Sequence, residues 1–371
     1  SGSRSLNIAS LYAVRDLRTG GCRSAREAII VGGYSAVPRE VEDQLLANGY
    51  NSVYRVSGAN RYATARAVAV ALGTAPLPVG VSGCTDGSTS DGSAEMTYYA
   101  NSVVEWRDSA SQCQILGRTV VLADGKTGAD ALAAGWWTSF WQVPVLLHNG
   151  RDSLPAETFT ALQTLEVENV IVLGGKARIS DAAAAEAATA SGGNIVRISG
   201  ADRYATSFET AQQFGGWWPT GRGEDFEGSV LCVAASAGPG SRSEGWADAL
   251  SAGAWCGSAS NVSPPARALA PANGGRPDLV THGLKATHDA VPLVLVPAGV
   301  ETLPVTITAA IRKYFSPQST WCSSQLEVAG CSMPGFIVVF GGSKVVSDGV
   351  VAELSSLMSG GPIPAASRTN P

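Results

Sequence analysis

The feature that most constrains this chain is an internal repeat, in which short blocks of sequence recur in the same order. An apolar run that ends in two glycines occurs at 29–33, at 170–175 and at 337–342. A second block, which begins Arg-Val-Ser-Gly or Arg-Ile-Ser-Gly, occurs at 55–64 and at 197–206, at the same distance from the block before it. Repetition of this kind predicts several copies of one supersecondary unit rather than one large core.

Two further blocks complete the repeat. An Ala-Asp-Ala-Leu block occupies 129–135 and 247–253, and a Val-Pro block occupies 143–147 and 291–295. Two complete modules and one partial module follow from this order. The predicted division is a partial N-terminal repeat at 1–54, a first module at 55–190, a second module with insertions at 191–358, and a flexible tail at 359–371.

Apolar runs alternate with helical patterns inside each module. Residues 119–123, 143–147 and 170–173 have the composition of strands buried on both faces, and helices are expected at 128–140 and 156–165. Strands that alternate with helices of about ten residues indicate right-handed crossovers and a parallel sheet. The predicted fold class is α/β: tandem Rossmann-like modules, each a small parallel sheet flanked by helices, packed as a pseudo-symmetric repeat.

Composition excludes several functions. The net charge is −5 and the 26 Lys and Arg residues are spread over the whole chain, which argues against nucleic-acid binding. No run approaches 18 apolar residues, so no membrane-spanning helix is expected.

The start at Ser1 lacks an initiator Met and an apolar signal core, and is interpreted as a processed or engineered end.

The seven cysteines fit no zinc pattern, because no C-x-x-C occurs and the three His lie apart from Cys pairs. Most of them lie in Gly/Ser-rich insertions, which favours disulfides over the alternative of reduced thiols. Cys22 is left over, either free or bonded to another chain. The predicted pairs are Cys84–Cys113, Cys232–Cys256 and Cys322–Cys331.

The four blocks resemble the cell wall binding repeat type 2 family of clostridial and actinobacterial surface proteins. The family pattern R-I-S-G-x-D-R-Y-x-T-A is met at 197–207, V-L-A-D-G with A-D-A-L-A-A at 121–134, P-V-L-L with L-P at 144–155, and V-x-V-L-G-G at 170–180. The resemblance covers 26–210 well and 229–358 more loosely. It implies Rossmann-type modules packed as a pseudo-trimer, which bind anionic secondary cell-wall polymers without a covalent bond.

The sequence also departs from the family pattern. The second module lacks an Asp to match Asp124, and the third repeat is incomplete. A polymer site built between three modules would then need a part from the chain ends or from another copy. Self-association into an extracellular filament or a surface layer is therefore the alternative function.

Two Arg-Tyr pairs are the leading candidates for polymer binding. A guanidinium offers a planar fork of donors to phosphate or carboxylate groups, and a neighbouring Tyr can stack on a sugar. The alternative is structural, with each Arg paired to an Asp of the Ala-rich helices to cap the packing between modules. The predicted polymer-binding residues are Arg61, Tyr62, Arg203, Tyr204, Asp130 and Asp248.

Tryptophans form a second group of candidates. Exposed Trp can stack on sugar rings or form protein interfaces, and packing between modules is the alternative. The residues concerned are Trp137, Trp141, Trp217 and Trp218.

Catalysis and cofactors are not expected. The second module has no counterpart of Asp124, so no carboxylate pair recurs, and Asp130 and Asp248 are placed to cap helix N-termini. The Gly-Gly turns lack the G-x-G-x-x-G spacing and are interpreted as tight strand-to-helix turns. The sequence thus predicts a secreted, non-catalytic protein of the cell wall or cell surface, without cofactor or metal.

Overall fold

The computed structural model describes residues 5–6, 11–12, 26–73, 104–107, 113–116, 118–141, 143–214, 229–236, 246–258, 293–315 and 334–359. The strands are β1 (Glu27–Val31), β2 (Ser52–Val56), β3 (Val104–Arg107), β4 (Cys113–Leu116), β5 (Thr119–Asp124), β6 (Val145–His148), β7 (Asn169–Leu173), β8 (Asn194–Ile198), β9 (Ser229–Ser236), β10 (Leu293–Pro297) and β11 (Pro334–Phe340). The helices are α1 (Arg39–Ala47), α2 (Arg61–Gly73), α3 (Ala129–Trp141), α4 (Ala156–Thr164), α5 (Asp181–Ala190), α6 (Arg203–Phe214), α7 (Trp246–Ser258), α8 (Val305–Phe315) and α9 (Asp348–Ser359).

The described strands form three small parallel sheets and one antiparallel pair. The N-terminal sheet pairs β1 with β2, the central sheet has the order β6-β5-β7-β8, and the C-terminal sheet has the order β10-β9-β11. Strands β3 and β4 pair antiparallel, between α2 and β5 in the chain. The α/β class with small parallel sheets flanked by helices is confirmed.

Composition explains why these segments form the sheets. All six residues of β5 and all five of β7 are buried, as expected for β-branched and apolar runs covered on both faces. Helix α5 begins after Ser180, whose hydroxyl accepts a hydrogen bond from the amide of Ala183. The strands and helices thus lie within one or two residues of the predicted bounds.

Strand register confirms that the repeat is structural. In the central sheet Val121 lies between Val145 and Ile171. In the C-terminal sheet Cys232 lies in the same way between Leu293 and Val338. The sequence repeat matches these neighbouring strands residue for residue, so the two sheets are copies of one unit.

Helices α3 and α7 bring the central and C-terminal sheets together. A β-carbon built on Gly253 would lie 3.0 Å from the α-carbon of Gly135, so the two helix backbones touch at glycines that occupy equal places in the repeat. One hydrophobic core runs across this contact and includes Trp137 of α3, Ala252 of α7 and Leu295 of β10. The two sheets are therefore joined by a continuous core.

A disulfide links Cys232 of β9 to Cys256 of α7. This predicted pair is confirmed, and both residues are fully buried in the shared core. The disulfide ties α7 to its own sheet at the level of the contact with α3. The pairs proposed for Cys84–Cys113 and Cys322–Cys331 rest on residues or side chains outside the described part, as do Cys22 and the tail after Ser359.

The glycine contact can be tested by substitution. We expect Gly253→Leu to lower the free energy of unfolding by about 1–3 kcal/mol, because the added side chain would push α3 away from α7. Denaturant unfolding followed by tryptophan fluorescence measures this change.

Gly342→Leu is the matched control, because a β-carbon at Gly342 meets nothing within 4 Å. Equal stability of the Gly253 variant and the wild-type chain would mean that the two helices are not held at this distance.

Candidate functional site

The first Arg-Tyr pair lies at the carboxyl edge of the central sheet. Helix α2 begins with Arg61, and Arg61 Nη1 donates a hydrogen bond to the carbonyl oxygen of Gly125, at 2.6 Å. The ring of Tyr62 lies against the same residue, since a β-carbon on Gly125 would be 3.0 Å from Tyr62 Cε1. Gly125 directly follows β5, so the pair covers the end of the central strand, with Arg61 exposed and Tyr62 half-buried.

The second pair occupies the equivalent place on the C-terminal sheet. Tyr204 Oη donates to the carbonyl oxygen of Ser236, at 3.2 Å, and Arg203 Nη1 lies 3.4 Å from Ser236 Oγ. Ser236 stands four residues after Cys232, as Gly125 stands four residues after Val121. Both Arg-Tyr pairs therefore dock on the residue at the end of the middle strand of a sheet.

An aspartate lies beside each of these edges, at the start of the following helix. Asp130, in the first turn of α3, is packed against Gly174 at the end of β7. A β-carbon on Gly174 would lie 2.5 Å from Asp130 Oδ2, and one on Gly341 would lie 3.0 Å from Asp248 Oδ2. The carboxylate thus fills the space that a side chain would take.

This contact gives the Gly-Gly turns a second role beyond chain reversal. Gly174 has φ +106° and Gly341 has φ +119°, values that favour glycine. Glycine is required there both for the backbone conformation and for the neighbouring carboxylate. Sequence reasoning explained only the turn, although the joint recurrence of the Gly-Gly and Ala-Asp-Ala-Leu blocks is a signal that the two touch.

Burial controls the charge of Asp130. Asp130 as a whole residue is 8% exposed, and burial, with a smaller effect from Asp124, raises the pKa of its carboxyl group to about 6. Arg203 and Arg178 act in the opposite direction. Arg203 begins the helix that serves the C-terminal sheet, so its guanidinium acts on a carboxylate of the central sheet across the junction between them.

Arg203 thus influences Asp130 through its charge, and the predicted Arg–Asp pairing stays a prediction. Arg61 uses a different partner, the carbonyl of Gly125. The polymer-binding role of the six predicted residues stays a prediction, and the structure brings them to the carboxyl edges of two sheets. In an open α/β sheet the carboxyl ends of the strands are the usual place for a ligand.

Asp124 has a structural environment. Its carboxylate accepts hydrogen bonds from the amide of Lys126 at 2.9 Å and from the amide and hydroxyl of Thr127 at 3.2 and 2.8 Å. These bonds hold the turn after β5 in place.

His148 was not among the predicted site residues. It is fully buried opposite Asp124 in the sheet, and burial lowers its pKa, so the imidazole is neutral near pH 7. The amide of Gly150 donates to its Nδ1 at 3.0 Å. His148 therefore supports the loop after β6. The second module has no matching His, so the repeat gives no signal for this residue.

Of the four tryptophan candidates, only Trp137 has a side chain that the structure describes. Trp137 is 1% exposed in the core shared by α3 and α7, so its ring is not available to a sugar and it takes the packing alternative. The side chain of Trp141, and the whole of Trp217 and Trp218, lie outside the described residues. Trp255, which matches Trp137 in the repeat, packs edge-on against Phe340 with ring centroids 5.5 Å apart.

The described ranges contain neither a metal-binding cluster nor a membrane-spanning helix. No three side chains of His, Cys, Asp or Glu in these ranges are grouped so that they could hold a metal ion. None of the described helices is long and apolar enough to cross a membrane.

The shifted pKa of Asp130 predicts a pH dependence. A carboxyl group whose pKa is higher in the folded chain than in the unfolded chain stabilises the fold below its unfolded value, and this contribution is lost as the pH rises through the folded value. Asp130→Asn removes the titration. We therefore expect the variant to gain stability relative to the wild-type chain between about pH 4 and about pH 7, by an amount on the order of 3 kcal/mol.

Denaturant unfolding of both proteins at several pH values measures this difference. Asp181→Asn is the control, because the hydrogen bond from Lys176 lowers the pKa of exposed Asp181 and the sign of any effect is reversed. A stability difference between the Asp130 variant and the wild-type chain that is constant with pH would contradict the shift.

Comparison with known proteins agrees with the geometry of the repeat. The family described as cell wall binding domain 2 (CWB2) matches residues 55–184 and 197–264, together just over half of the chain. N-acetylmuramoyl-L-alanine amidase LytC of Bacillus subtilis (strain 168) is 34% identical over 97 residues, which are 26% of this chain and 19% of that protein.

Two solved structures share the fold. Cwp6 from Clostridium difficile matches with a TM-score of 0.59 at 17% identity, over 97% of this chain and 40% of that one. Cwp8 from the same organism matches with a TM-score of 0.54 at 16% identity, over 92% and 39%. The chain thus spans about two fifths of each solved chain and less than a fifth of the amidase. With its four ordered blocks, its repeated sheets and this family match, the chain belongs to the cell wall binding domain 2 family.

Proposed function

We propose that the chain attaches without a covalent bond to an anionic glycopolymer of the cell wall. The observation that carries this proposal is that two Arg-Tyr pairs occupy equivalent places in the repeat. Arg61 and Tyr62 contact Gly125, and Arg203 and Tyr204 contact Ser236. Membership of a cell wall binding family supports attachment to the wall. The arginines supply the chemistry for an anionic partner.

Each Arg-Tyr pair combines a donor fork with an aromatic ring. Guanidinium groups bind phosphate or carboxylate with charge-assisted hydrogen bonds, and an adjacent Tyr provides an apolar face for a sugar. Arg61 is exposed while one of its donors is held by Gly125, so the group is oriented before a ligand arrives. Such preorganisation lowers the entropy lost on binding.

Asp130 adds an acidic neighbour to the second pair. Its carboxylate lies within electrostatic reach of Arg203 and reduces the positive charge of the edge. Protonation of Asp130 at low pH would leave Arg203 more available to an anion. Binding is accordingly proposed to strengthen as the pH falls through about 6.

Two sites on one rigid body would act together on a polymer. The shared core of α3 and α7 holds the central and C-terminal sheets at a constant spacing. A repeating anionic chain that contacts both sites binds the second without a new diffusional encounter, so weak contacts add to a firm attachment.

A binding role without turnover is part of the proposal. The relative that is named as an amidase shares only 97 residues with this chain, and Asp124 is engaged in its own turn. We further propose that the protein acts outside the cell, where the wall polymer is exposed.

The test is sedimentation of the chain with purified cell walls. We expect the double variant Arg61→Ala, Arg203→Ala to lose about tenfold or more in affinity, since hydrogen bonds to charged groups contribute about 1.5–3 kcal/mol. Arg118→Ala is the matched control, because Arg118 precedes β5 at the opposite edge and pairs with Glu166 and Glu168. Equal sedimentation of the double variant and the control would reject the two edges as the binding site.

Self-assembly into a filament or surface layer is the second candidate. The observation in its favour is strand β1, which among the described strands pairs only with β2 and exposes 68% of Ile29 and 55% of Val31. Light scattering with negative-stain microscopy distinguishes the two: regular filaments or layers would support a structural subunit, and monodisperse monomers would support the anchor.

A further inference from the structure

The turn after β1 presents an exposed aromatic ring. Tyr34 is the second residue after Gly32, and 50% of its surface is exposed. The amide of Gly32 donates a hydrogen bond to the carbonyl oxygen of Val56 at 2.9 Å, so the turn is joined to the end of β2. Tyr34 therefore lies at the carboxyl edge of the N-terminal sheet, the edge from which the chain continues to Arg61.

Exposure at this position is a property of the repeat. In the register of the Gly-Gly blocks, Tyr34 corresponds to Lys176 in the central unit and to Ser343 in the C-terminal unit. Both residues are exposed, although β7 pairs with β5 and β11 pairs with β9. A neighbouring strand covers this position in neither unit, so the position faces outward in all three copies.

A guanidinium supports the ring of Tyr34. The Cζ atom of Arg55 lies 4.1 Å from the ring centre, within the range of a cation–π contact. Arg55 Nη1 donates to the carbonyl oxygens of Gly32 at 2.7 Å and Val37 at 3.0 Å. Its Nη2 donates to Glu42 Oε2 at 3.0 Å, and 9% of the side chain is exposed. Because the ring rests on a buried and hydrogen-bonded group, it loses little freedom when a ligand stacks on it.

A second guanidinium lies beside the same ring. Arg39, the first residue of α1, is exposed, and its Cζ atom lies 5.5 Å from the ring centre of Tyr34. Glu42 and Asp43 act on Arg39 through their charge, but neither forms an ion pair with it in the described ranges. The carboxylate of Glu42 is engaged by Arg55 instead. Beyond its contact with Tyr34, Arg39 thus keeps donors for an anion from outside.

The central unit uses the same two positions differently. Lys176 takes the place of Tyr34 and Asp181 that of Arg39, and they form an ion pair with Nζ 2.7 Å from Oδ2. In the C-terminal unit the two places hold a serine and an aspartate. Among the three copies, the combination of an aromatic ring and a cation at these positions belongs to the N-terminal unit alone.

We propose that Tyr34 and Arg39 form a subsite for an acidic sugar, a pyranose that bears a carboxylate or a phosphate group. The sugar ring stacks on the exposed part of Tyr34, and its anionic group accepts hydrogen bonds from Arg39. Arg55 supports the ring from below and is not itself a ligand contact. The inference rests on the proposed attachment to an anionic wall glycopolymer, to which it adds a contact apart from the two Arg-Tyr edges.

Saturation-transfer NMR with single sugars tests the subsite on the full chain. The probes are glucuronic acid, glucose 1-phosphate and the uncharged methyl glucoside. We expect the acids to bind more tightly than methyl glucoside, and the tighter of the two acids identifies the anionic group that Arg39 prefers. Tyr34→Leu should weaken the binding of the acids about fivefold, because leucine covers Arg55 but offers no aromatic face.

Tyr54→Leu is the matched control for the ring. Tyr54 lies on β2 of the same sheet and is 53% exposed, but no guanidinium lies over its ring in the described ranges. Arg39→Gln tests the cation separately: it should remove the preference for the acids and leave the binding of methyl glucoside unchanged, a split that a merely structural role would not produce. Circular dichroism establishes that each variant is folded.

The subsite is rejected if neither acid binds the wild-type chain, or if Tyr34→Leu and Tyr54→Leu bind the acids equally well. Sedimentation with purified cell walls separates this result from a failure of the proposed function. A chain that sediments with walls but binds neither acid overturns the subsite alone. A chain that binds an acid through Tyr34 but does not sediment with walls overturns the attachment and leaves an acidic-sugar site.

Discussion

The contact between α3 and α7 is the constraint on which the rest of the described structure depends. Two glycines at equal places in the repeat let the helix backbones approach to the limit of van der Waals contact. Close approach places Trp137 of α3 and Cys256 of α7 in one core and fixes the orientation of two sheets. Because both candidate edges belong to these sheets, their spacing is set by this helix pair.

The carboxyl edges of the sheets join packing to electrostatics. At each edge an aspartate packs against a glycine that has a positive φ. An Arg-Tyr pair contacts the residue at the end of the neighbouring strand, β5 or β9. Burial of Asp130 disfavours its charge, and the arginine of the neighbouring unit partly compensates. A residue pattern that supports the fold thus also places a titratable group beside the proposed site.

Much of the fold could be predicted because the signals are local and repeated. Runs such as that of β5 are buried on both faces, and strands of this composition in alternation with helices form parallel sheets. The Cys232–Cys256 disulfide followed from two cysteines in one strand–helix unit. His148 could not be singled out, since its burial depends on the loop of Gly150 and on contacts from other elements.

The sequence by itself determined the module, its order of strands and helices, and the residues that recur at the carboxyl edges. Tertiary structure decided which modules touch and through which surfaces, because that depends on side chains distant in sequence. It placed Trp137 in a core and left Ile29 exposed, and it brought Arg203 close enough to lower the pKa of Asp130 in another sheet. Repetition reveals what each unit is, whereas only packing in three dimensions reveals how the units are joined.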